Sequence, residues 1–524
     1  MSYRSRTARG ALAAIGVVAA VSMALTGCTS GTPDPAGSAG ASAGADASGG
    51  TLVVGVTSDP DTLFPWKATQ FQAVHVMENV YGTLTQFDKD LNVVPGLAES
   101  WGASEGGLTV TFKLRSGVTF ADGSTFGSED VKSSFDKIMD EATAAVTAAS
   151  LASVTKVDAP DANTIVLTLS APDAALPANL AVLGMAILSS DDTEETLNTA
   201  PNGTGPFVFE DRVASQSITL ARNDNYWGDA PKLDSIEFRV IPDESSIVAA
   251  MQSGNVQFAV FDDPLVAQTA TGGNITVTNT PQLSYHTLQL NARKGALNDV
   301  NVRLAMQCAI DRQQVLDTAA LGEGELTGPI TSPAFKSDPS ARPCPTRDLD
   351  KAKEYLAKAG KSGGVTVHAI VSQGEYATSV NEAQNVKAQL AEAGINLDIE
   401  VLESGAYVDR WIAADFEAAI ALNGGRPDPD GMYGRYFTST GNLNKVAGYS
   451  SPELDALFAE GKASSDPEER KGIYQEVSQH LEDNAAWIWM FTSYTYTATD
   501  SSVSGFVPMA TGSLQYLRTT SISK

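Results

Sequence analysis

Two short motifs place a serine in patterns that hydrolytic enzymes use. Residues 102–106 read Gly-Ala-Ser-Glu-Gly, which matches the G-x-S-x-G pattern of a nucleophile elbow. Such an elbow needs a strand before the turn and a helix after it. Here the strand-like residues 108–114 follow the turn, so the segment is interpreted as a polar hairpin turn. Ser134 and Lys137 match S-x-x-K, but no Lys-Thr-Gly follows in the chain. A secreted hydrolase is therefore kept only as an alternative.

The histidines and the overall charge argue against two further kinds of site. His75, His286, His368 and His480 are scattered, without the paired spacing of metal ligands. We therefore expect neither a metal nor another cofactor. The formal net charge is −27, whereas phosphate binding requires a basic face, so no nucleic-acid partner is expected.

The chain is long enough for at least two lobes. It has 524 residues, and a single hydrophobic core stops growing near ~250–300 residues. The order strand 365–371, helix 379–393 and strand 397–402 predicts a parallel βαβ unit. Residues 299–316 are predicted as one helix, and residues 486–497 as a final aromatic strand.

The amino-terminal segment has the features of a bacterial lipoprotein leader. Arg4, Arg6 and Arg9 give a basic start, and an almost unbroken apolar run follows from residue 11 to residue 25. That run is short for a membrane span, which takes ~20 residues. Residues 25–28, Leu-Thr-Gly-Cys, resemble the lipobox, in which a peptidase cleaves before the cysteine and the thiol carries diacylglycerol. We therefore expect residues 1–27 to be a signal peptide and Cys28 to be the lipidated residue.

Residues 28–50 are expected to form a flexible tether. Apart from Cys28, they contain almost only Gly, Ala, Ser, Thr, Pro and Asp, which cannot bury enough apolar surface to fold. No other segment approaches ~18 uninterrupted apolar residues, so the lipid alone is expected to hold the protein at the membrane. The predicted location is the outer, extracytoplasmic face of the cytoplasmic membrane.

Two cysteines remain beyond the leader. Cys308 lies in a helical pattern, and Cys344 lies between Pro343 and Pro345. Export makes a disulfide between them chemically feasible. Two free thiols, one of them buried as a small hydrophobe, are equally compatible with the pattern.

Six signatures then occur in order along the chain: residues 94–101 (V-P-G-L-A-E-S-W), 112–123 (F-K-L-R-S-G-V-T-F-A-D-G), 203–207 (G-T-G-P-F), 223–228 (N-D-N-Y-W-G), 301–312 (N-V-R-L-A-M-Q-C-A-I-D-R) and 428–430 (D-P-D). Together they resemble the peptide/nickel/oligosaccharide-type (family 5) solute-binding proteins of ABC importers. The resemblance runs from about residue 51 to residue 505. Motifs of this kind identify a fold and do not by themselves locate a site.

The resemblance implies an α/β fold of the type II periplasmic-binding-protein kind, with two hinge-joined lobes and an extra subdomain. By the order of the motifs, lobe I takes residues 51–90, 201–285 and 495–524, its subdomain takes 91–200, and lobe II takes 286–494. The lobes would be joined by two crossover strands. A ligand that touches both lobes then favours the closed state.

The resemblance also implies a binding protein rather than an enzyme. It would capture a small solute by hinge closure and deliver it, as a monomer, to the permease subunits of an ABC importer. A dipeptide or oligopeptide is the first candidate for the solute. An oligosaccharide or another organic solute is the alternative within the same family.

Candidate ligand contacts follow from the loop at residues 428–430. Peptide-binding relatives often place an acidic residue shortly after a tryptophan just before this loop. Residues 422–428 read Leu-Asn-Gly-Gly-Arg-Pro-Asp, with Leu422 or Asn423 at the tryptophan position and Gly425 or Arg426 at the position of the acid. Arg426 is expected either to pair with a carboxylate or phosphate of the ligand or to be a solvated loop residue held by Asp428 or Asp430.

The remaining candidates are polar or aromatic side chains expected near the cleft: Asn423, Asp428, Asp430, Tyr407, Trp411, Tyr436 and Trp66. Tyr407 and Trp411 are four residues apart, so on a helix they would share a face. They could stack on a ring of the ligand or line the core.

Overall fold

The structure is a computed structural model that describes residues 49–373 and 376–523. The predicted signal peptide, Cys28 and most of the predicted tether lie outside the described residues. Gly49 and Gly50, which the tether prediction included, are bonded to the folded body: the Gly49 N–H donates to the Lys232 carbonyl (2.6 Å) and the Gly50 N–H to the Asp234 carboxylate (2.7 Å). Among the described residues, no helix is long and apolar enough to cross a membrane.

The strands, in chain order, are β1 (Thr51–Val56), β2 (Thr85–Phe87), β3 (Val93–Pro95), β4 (Ala98–Ala103), β5 (Thr109–Leu114), β6 (Val154–Asp161), β7 (Thr164–Leu169), β8 (Phe207–Val213), β9 (Ser217–Arg222), β10 (Ser235–Val240), β11 (Phe258–Phe261), β12 (Ile275–Pro281), β13 (Tyr285–Leu290), β14 (Glu325–Leu326), β15 (Val365–Gln373), β16 (Ile395–Glu403), β17 (Ala418–Asn423), β18 (Trp487–Thr492), β19 (Tyr494–Asp500), β20 (Val503–Ser504) and β21 (Ser521–Ile522).

The helices are α1 (Phe71–Met77), α2 (Ser128–Met139), α3 (Leu176–Asn179), α4 (Glu194–Leu197), α5 (Glu244–Gln252), α6 (Pro264–Ala270), α7 (Val300–Ala309), α8 (Arg312–Ala319), α9 (Leu349–Lys358), α10 (Ser379–Glu392), α11 (Ser404–Ala413), α12 (Arg435–Phe437), α13 (Asn444–Ala447), α14 (Pro452–Ala463) and α15 (Pro467–Asp483). A π-helical turn, Asp430–Gly434, leads directly into α12.

Two large mixed sheets carry most of the strands. The first has the order β12-β19-β11-β1-β10-β9-β8, and β1 is parallel to both of its neighbours. The second has the order β14-β18-β13-β17-β15-β16. A smaller antiparallel sheet, β4-β5-β7-β6, lies within residues 98–169. The division of the chain into two lobes and a subdomain at the boundaries given above stays a prediction.

The second sheet is buried on both faces at its centre. Every residue of β13 and β18 is buried, which matches their continuous runs of large side chains and the coverage of both faces. The predicted βαβ unit is confirmed: β15 pairs with β16 in parallel, and α10 connects them. Trp487 and Trp489 of β18 pack on one face among aromatic side chains, and Ile488 and Met490 pack on the other.

Two predictions about single elements are wrong. Residues 299–316 form two helices, because Ile310 is extended and the Asp311 side chain accepts the Gln314 N–H and starts α8. Residues 486–497 form two strands of different sheets, β18 and β19, with Ser493 between them. A local hydrogen bond sets the first break, whereas at the second break Ser493 bonds to Gln282 and His286, which are distant in sequence.

The chain passes between the two large sheets at residues 282–284 and again at Ser493. These crossings lie side by side. The Gln282 N–H donates to the Ser493 carbonyl (2.9 Å). The Thr492 hydroxyl lies within hydrogen-bond distance of the Gln282 carbonyl (2.6 Å) and the Ser284 carbonyl (2.7 Å). The two crossings therefore form one narrow connection between the sheets.

Candidate functional site

The loop that follows β17 lies directly against this connection. At Gly425, an added Cβ would be 1.9 Å from the Leu283 carbonyl oxygen, so no other residue fits there without displacing one of the two segments. Leu283 belongs to the first crossing. The loop from residue 424 to the π-helical turn is therefore anchored beside the point where the two sheets join.

Asp428 is held inside the protein by an arginine. Its carboxylate accepts two hydrogen bonds from Arg470, at 2.8 and 3.2 Å, and both side chains are buried. Arg470 also donates to the Gly461 carbonyl at 2.9 Å. Burial alone would lower the pKa of Arg470, but the Asp428 carboxylate outweighs it and raises this pKa above its usual range. The pair is a bidentate clamp that ties the loop to α15.

Asp430 is the second carboxylate of the loop and is less well satisfied. Its Oδ2 lies 3.4 Å from the Lys462 Nζ, whereas its Oδ1 is buried without a hydrogen-bond partner in the structure. Burial raises the pKa of Asp430 to about 6; Lys462 opposes this effect, and the Asp428 and Asp173 charges add to it. The Lys462 carbonyl also accepts the Ala174 N–H (2.9 Å), so this corner joins residues that are distant in sequence.

Arg426 is held by neither of these carboxylates. Asp428 is paired with Arg470, and Asp430 faces Lys462. No contact among the described residues therefore supports the alternative in which Asp428 or Asp430 holds Arg426. Arg426 is exposed. Its pKa is lowered by partial burial and then by the charge of Arg435. The guanidinium therefore has a second cation as its charged neighbour.

Arg435 and Tyr436 complete this group at the start of α12. The Arg435 Cζ lies 4.8 Å from the centroid of the Tyr436 ring, and its Nε is buried without a hydrogen-bond partner. Burial raises the pKa of Tyr436, while the charges of Arg435 and Arg426 act in the opposite direction. Arg426, Arg435 and Tyr436 therefore form one group beside the loop. A π-helical turn precedes them, and such turns are frequent at functional sites.

Asn423 and Trp411 belong to a buried polar network behind the loop. The Gln289 side chain donates to the Asn423 Oδ1 (3.2 Å), and Asn423 donates to the Thr287 hydroxyl (3.2 Å). The Trp411 Nε1 donates to the Gln289 Oε1 (2.8 Å). Each of these polar groups is used in fixing β13, β17 and α11 to one another.

Two aromatic candidates lie in packed interiors. The Tyr407 hydroxyl donates to the Ile420 carbonyl (2.8 Å), and the residue is 3% exposed. The Trp66 Nε1 donates to the Ala186 carbonyl (2.9 Å), and this residue is 2% exposed within the core around the first sheet. The structure thus brings Arg426, Asp428, Asp430 and Tyr436 together and places Trp66 elsewhere.

The two cysteines are joined. Cys308, on α7, and Cys344 form a disulfide with a Cα–Cα distance of 5.1 Å, so of the two alternatives that the pattern left open the structure contains the bridge. Within residues 49–373 and 376–523, no three His, Cys, Asp or Glu side chains converge as metal ligands.

Comparison with known proteins identifies the family. A sequence profile of the bacterial extracellular solute-binding proteins, family 5, matches residues 92–444. The chain belongs to this family. Its members are binding proteins rather than enzymes, and the chain is the solute-binding protein of an ABC importer. The predicted two-lobed α/β fold is confirmed.

Similar proteins cover most of the chain. The glutathione-binding protein GsiB of Escherichia coli is 27% identical over 481 residues, which covers 87% of this chain and 91% of the relative. The structure of HbpA2 from Haemophilus parasuis has a TM-score of 0.83 at 25% identity and covers 91% of this chain and 100% of its own. DppA from Helicobacter pylori in complex with the peptide STSA has a TM-score of 0.67 at 28% identity and covers 91% and 99%.

Several residues that matter in this site were not among the sequence candidates. Arg435 was not among them, although its place directly before Tyr436, a sequence candidate, could have indicated it. Arg470 and Lys462 lie in helices more than 30 residues after the loop, and no local pattern connects them to Asp428 and Asp430. Gln289 and Thr287 could not be found either, because their strand reads as a buried strand of the core.

Proposed function

We propose that this member of the family is a lipid-anchored receptor on the outer face of the cytoplasmic membrane. It captures a dipeptide or short oligopeptide between its lobes and delivers it to the permease of its importer. It acts as a monomer and reaches the membrane through the lipid on Cys28 alone. The observation that carries the capture mechanism is the narrow double crossing at residues 282–284 and 493.

That connection supports closure of the lobes about a ligand. Apart from this connection, the two proposed lobes also touch through polar contacts. The Ala174 N–H donates to the Lys462 carbonyl (2.9 Å), and the Tyr496 hydroxyl donates to the Glu323 carboxylate (2.8 Å). Single hydrogen bonds of this kind are broken at modest free-energy cost, so a bound solute that touches both halves can shift the balance towards a closed state.

A peptide ligand is supported by the relatives. The H. pylori DppA structure contains a bound peptide, and GsiB is named for binding glutathione, itself a short peptide.

The test is a ligand screen on the purified protein. Thermal unfolding is followed with di- to pentapeptides, glutathione and oligosaccharides, and small-angle scattering is recorded with each hit. A peptide at a hundred times its Kd should stabilise the folded state by about 2.7 kcal/mol and reduce the radius of gyration. If oligosaccharides raise the unfolding temperature and no peptide changes it, the ligand is a sugar and the peptide proposal is wrong.

The anchor is tested separately. We expect mass spectrometry of the wild type to find a diacylglyceryl group on Cys28. A variant in which an ordinary cleavable secretion signal replaces residues 1–28 should be released from membranes into the medium. Its retention in the membrane fraction after a high-salt wash would contradict anchoring by lipid alone. Light scattering of the released variant should give the mass of a single chain.

A further inference from the structure

Two arginine side chains of the loop region have no hydrogen bond and no ion pair among the described residues. They are those of Arg426 and Arg435; the Arg435 guanidinium contacts only the ring of Tyr436, and its buried Nε has no acceptor within the described part of the chain. Each of the other described arginines donates to an oxygen of the protein: Arg115, Arg212, Arg222, Arg239, Arg293, Arg303, Arg312, Arg342, Arg347, Arg410, Arg470 and Arg518. The chain has 62 acidic and 35 basic residues, so carboxylates are not scarce.

The two guanidiniums are also close enough to repel each other. The charge of Arg435 lowers the pKa of Arg426, second only to burial. Both charges also oppose the rise that burial causes in the pKa of Tyr436, whose ring lies 4.8 Å from the Arg435 Cζ. Like charges that are partly removed from water raise the free energy of the protein unless an anion lies between or beside them. The nearest acidic residues in sequence, Asp428 and Asp430, do not meet this need because each faces another cation.

The position of the group suits a ligand contact. The backbone that carries Arg426 is wedged against Leu283 at the crossing, and Asp428 is clamped by Arg470, so the loop is fixed while the Arg426 side chain is exposed. The ring of Tyr436 lies 4.8 Å from the Arg435 Cζ. A fixed loop with two unpartnered guanidiniums resembles a preorganised receptor for a planar anion.

We propose that Arg426 and Arg435 bind an anionic group of the captured solute, a carboxylate or a phosphate. This inference rests on the proposed function, in that the group belongs to the solute in the cleft. It narrows the substrate class to acidic solutes, above all peptides with a free carboxyl terminus or an acidic side chain. At this position the protein attracts the negative end of a peptide and repels a free amino terminus.

The experiment compares matched probes on the wild type and on three variants. The probes are tripeptides with a free carboxyl terminus, the same tripeptides as carboxyl-terminal amides, glutathione, and glutarate and inorganic phosphate at equal ionic strength. The variants are Arg426→Gln, Arg435→Gln and the control Arg410→Gln. Arg410 lies on α11 and pairs with Glu400 and Asp415 on the surface. Affinity is measured by calorimetry, and urea unfolding confirms that each variant folds.

We expect free acids to bind the wild type at least tenfold more tightly than amides, and each of the two site variants to remove that preference while the control retains it. If tripeptides bind but acid and amide remain equal, or the site variants bind as the wild type does, the arginine assignment fails and the peptide receptor stands. If no peptide binds but glutarate or phosphate stabilises the wild type and not the site variants, the anion site stands and the peptide proposal fails. A response to phosphate alone identifies a phosphorylated solute. No response to any probe in any protein overturns the inference.

Discussion

His286, on β13 just after the first crossing, contacts Ser493, the residue of the second crossing: the His286 Nε2 lies 3.0 Å from the Ser493 Oγ. On its other side, the His286 Nδ1 lies 2.9 Å from the Oε1 of Glu382, whose side chain is fully buried. The imidazole also stacks on Phe491 with 4.2 Å between ring centroids. A buried His–Glu pair on the side of the second sheet thus holds the connection between the two large sheets.

The first prediction concerns this pair. Glu382→Ala leaves His286 and the Thr378 hydroxyl without their buried acceptor. Leaving a buried polar group without its hydrogen-bond partner costs roughly 1–3 kcal/mol, and we expect the free energy of unfolding, measured with urea, to fall by at least that amount. Glu392→Ala is the control, because Glu392 lies at the end of the same helix and is 56% exposed in its pair with Arg347. Equal losses in the two variants would show that the pair has no special role.

The second prediction concerns the clamp on the loop. Asp428→Ala leaves the buried Arg470 guanidinium without its carboxylate, so the free energy of unfolding should fall by roughly 3–5 kcal/mol. The double variant Asp428→Ala/Arg470→Met removes both charges and should be more stable than Asp428→Ala. Denaturant unfolding of Asp428→Ala, Arg470→Met and the double variant gives the coupling free energy. Glu354→Ala, from an exposed pair with Lys358, should change stability by less than about 1 kcal/mol. Additive losses in the double variant would contradict the clamp.

The family and the fold could be predicted from the sequence because they depend on many residues in a fixed order. The six signatures and the βαβ pattern at residues 365–402 each constrain the answer independently. The site could be predicted only in part. Arg426 was named because it stands where an acid was expected, and the loop of residues 428–430 because of its motif.

The rest of the site depends on contacts distant in sequence. Trp66 has the same residue type as a ligand-stacking tryptophan, and only its tertiary neighbours show that it is a core residue. Similarly, nothing local in Asp428 indicates that Arg470, on a helix 42 residues later, takes up its charge. Periodicity also does not reveal the change of sheet at Ser493, because aromatic side chains occur in the strands on both sides of it.

The third prediction concerns the disulfide. The bridge between Cys308 and Cys344 closes a loop with a sequence separation of 36, and constraining such a loop in the unfolded chain stabilises the fold by about 4 kcal/mol. The free energy of unfolding of Cys308→Ser/Cys344→Ser, measured with urea, should therefore be lower than that of the wild type by about this amount. Reductant should destabilise the wild type and leave the double variant unchanged. Titration of two free thiols in the unreduced, denatured wild type would contradict the bridge.

The last prediction uses the raised pKa of Asp430. Its pKa is about 6 in the folded protein and about 3.9 in an unfolded chain. Between these values the folded state binds more protons, so this group makes the wild type less stable as the pH rises from about 4 through about 6. Asp430→Asn removes the ionisation, and we expect the variant to exceed the wild type by about 2 kcal/mol at pH 8 and to match it near pH 4.

Urea unfolding at a series of pH values measures this difference. Asp483→Asn is the control, because Asp483 is an exposed carboxylate at the end of α15, and its removal should have little effect at any pH. The opposite order of stability at pH 8 would contradict the prediction. If the attraction of Lys462, 3.4 Å away, outweighed the burial of the Asp430 carboxylate, Asp430→Asn would be the less stable protein at pH 8. Its deficit would then shrink as the pH falls and the wild-type carboxylate takes up a proton.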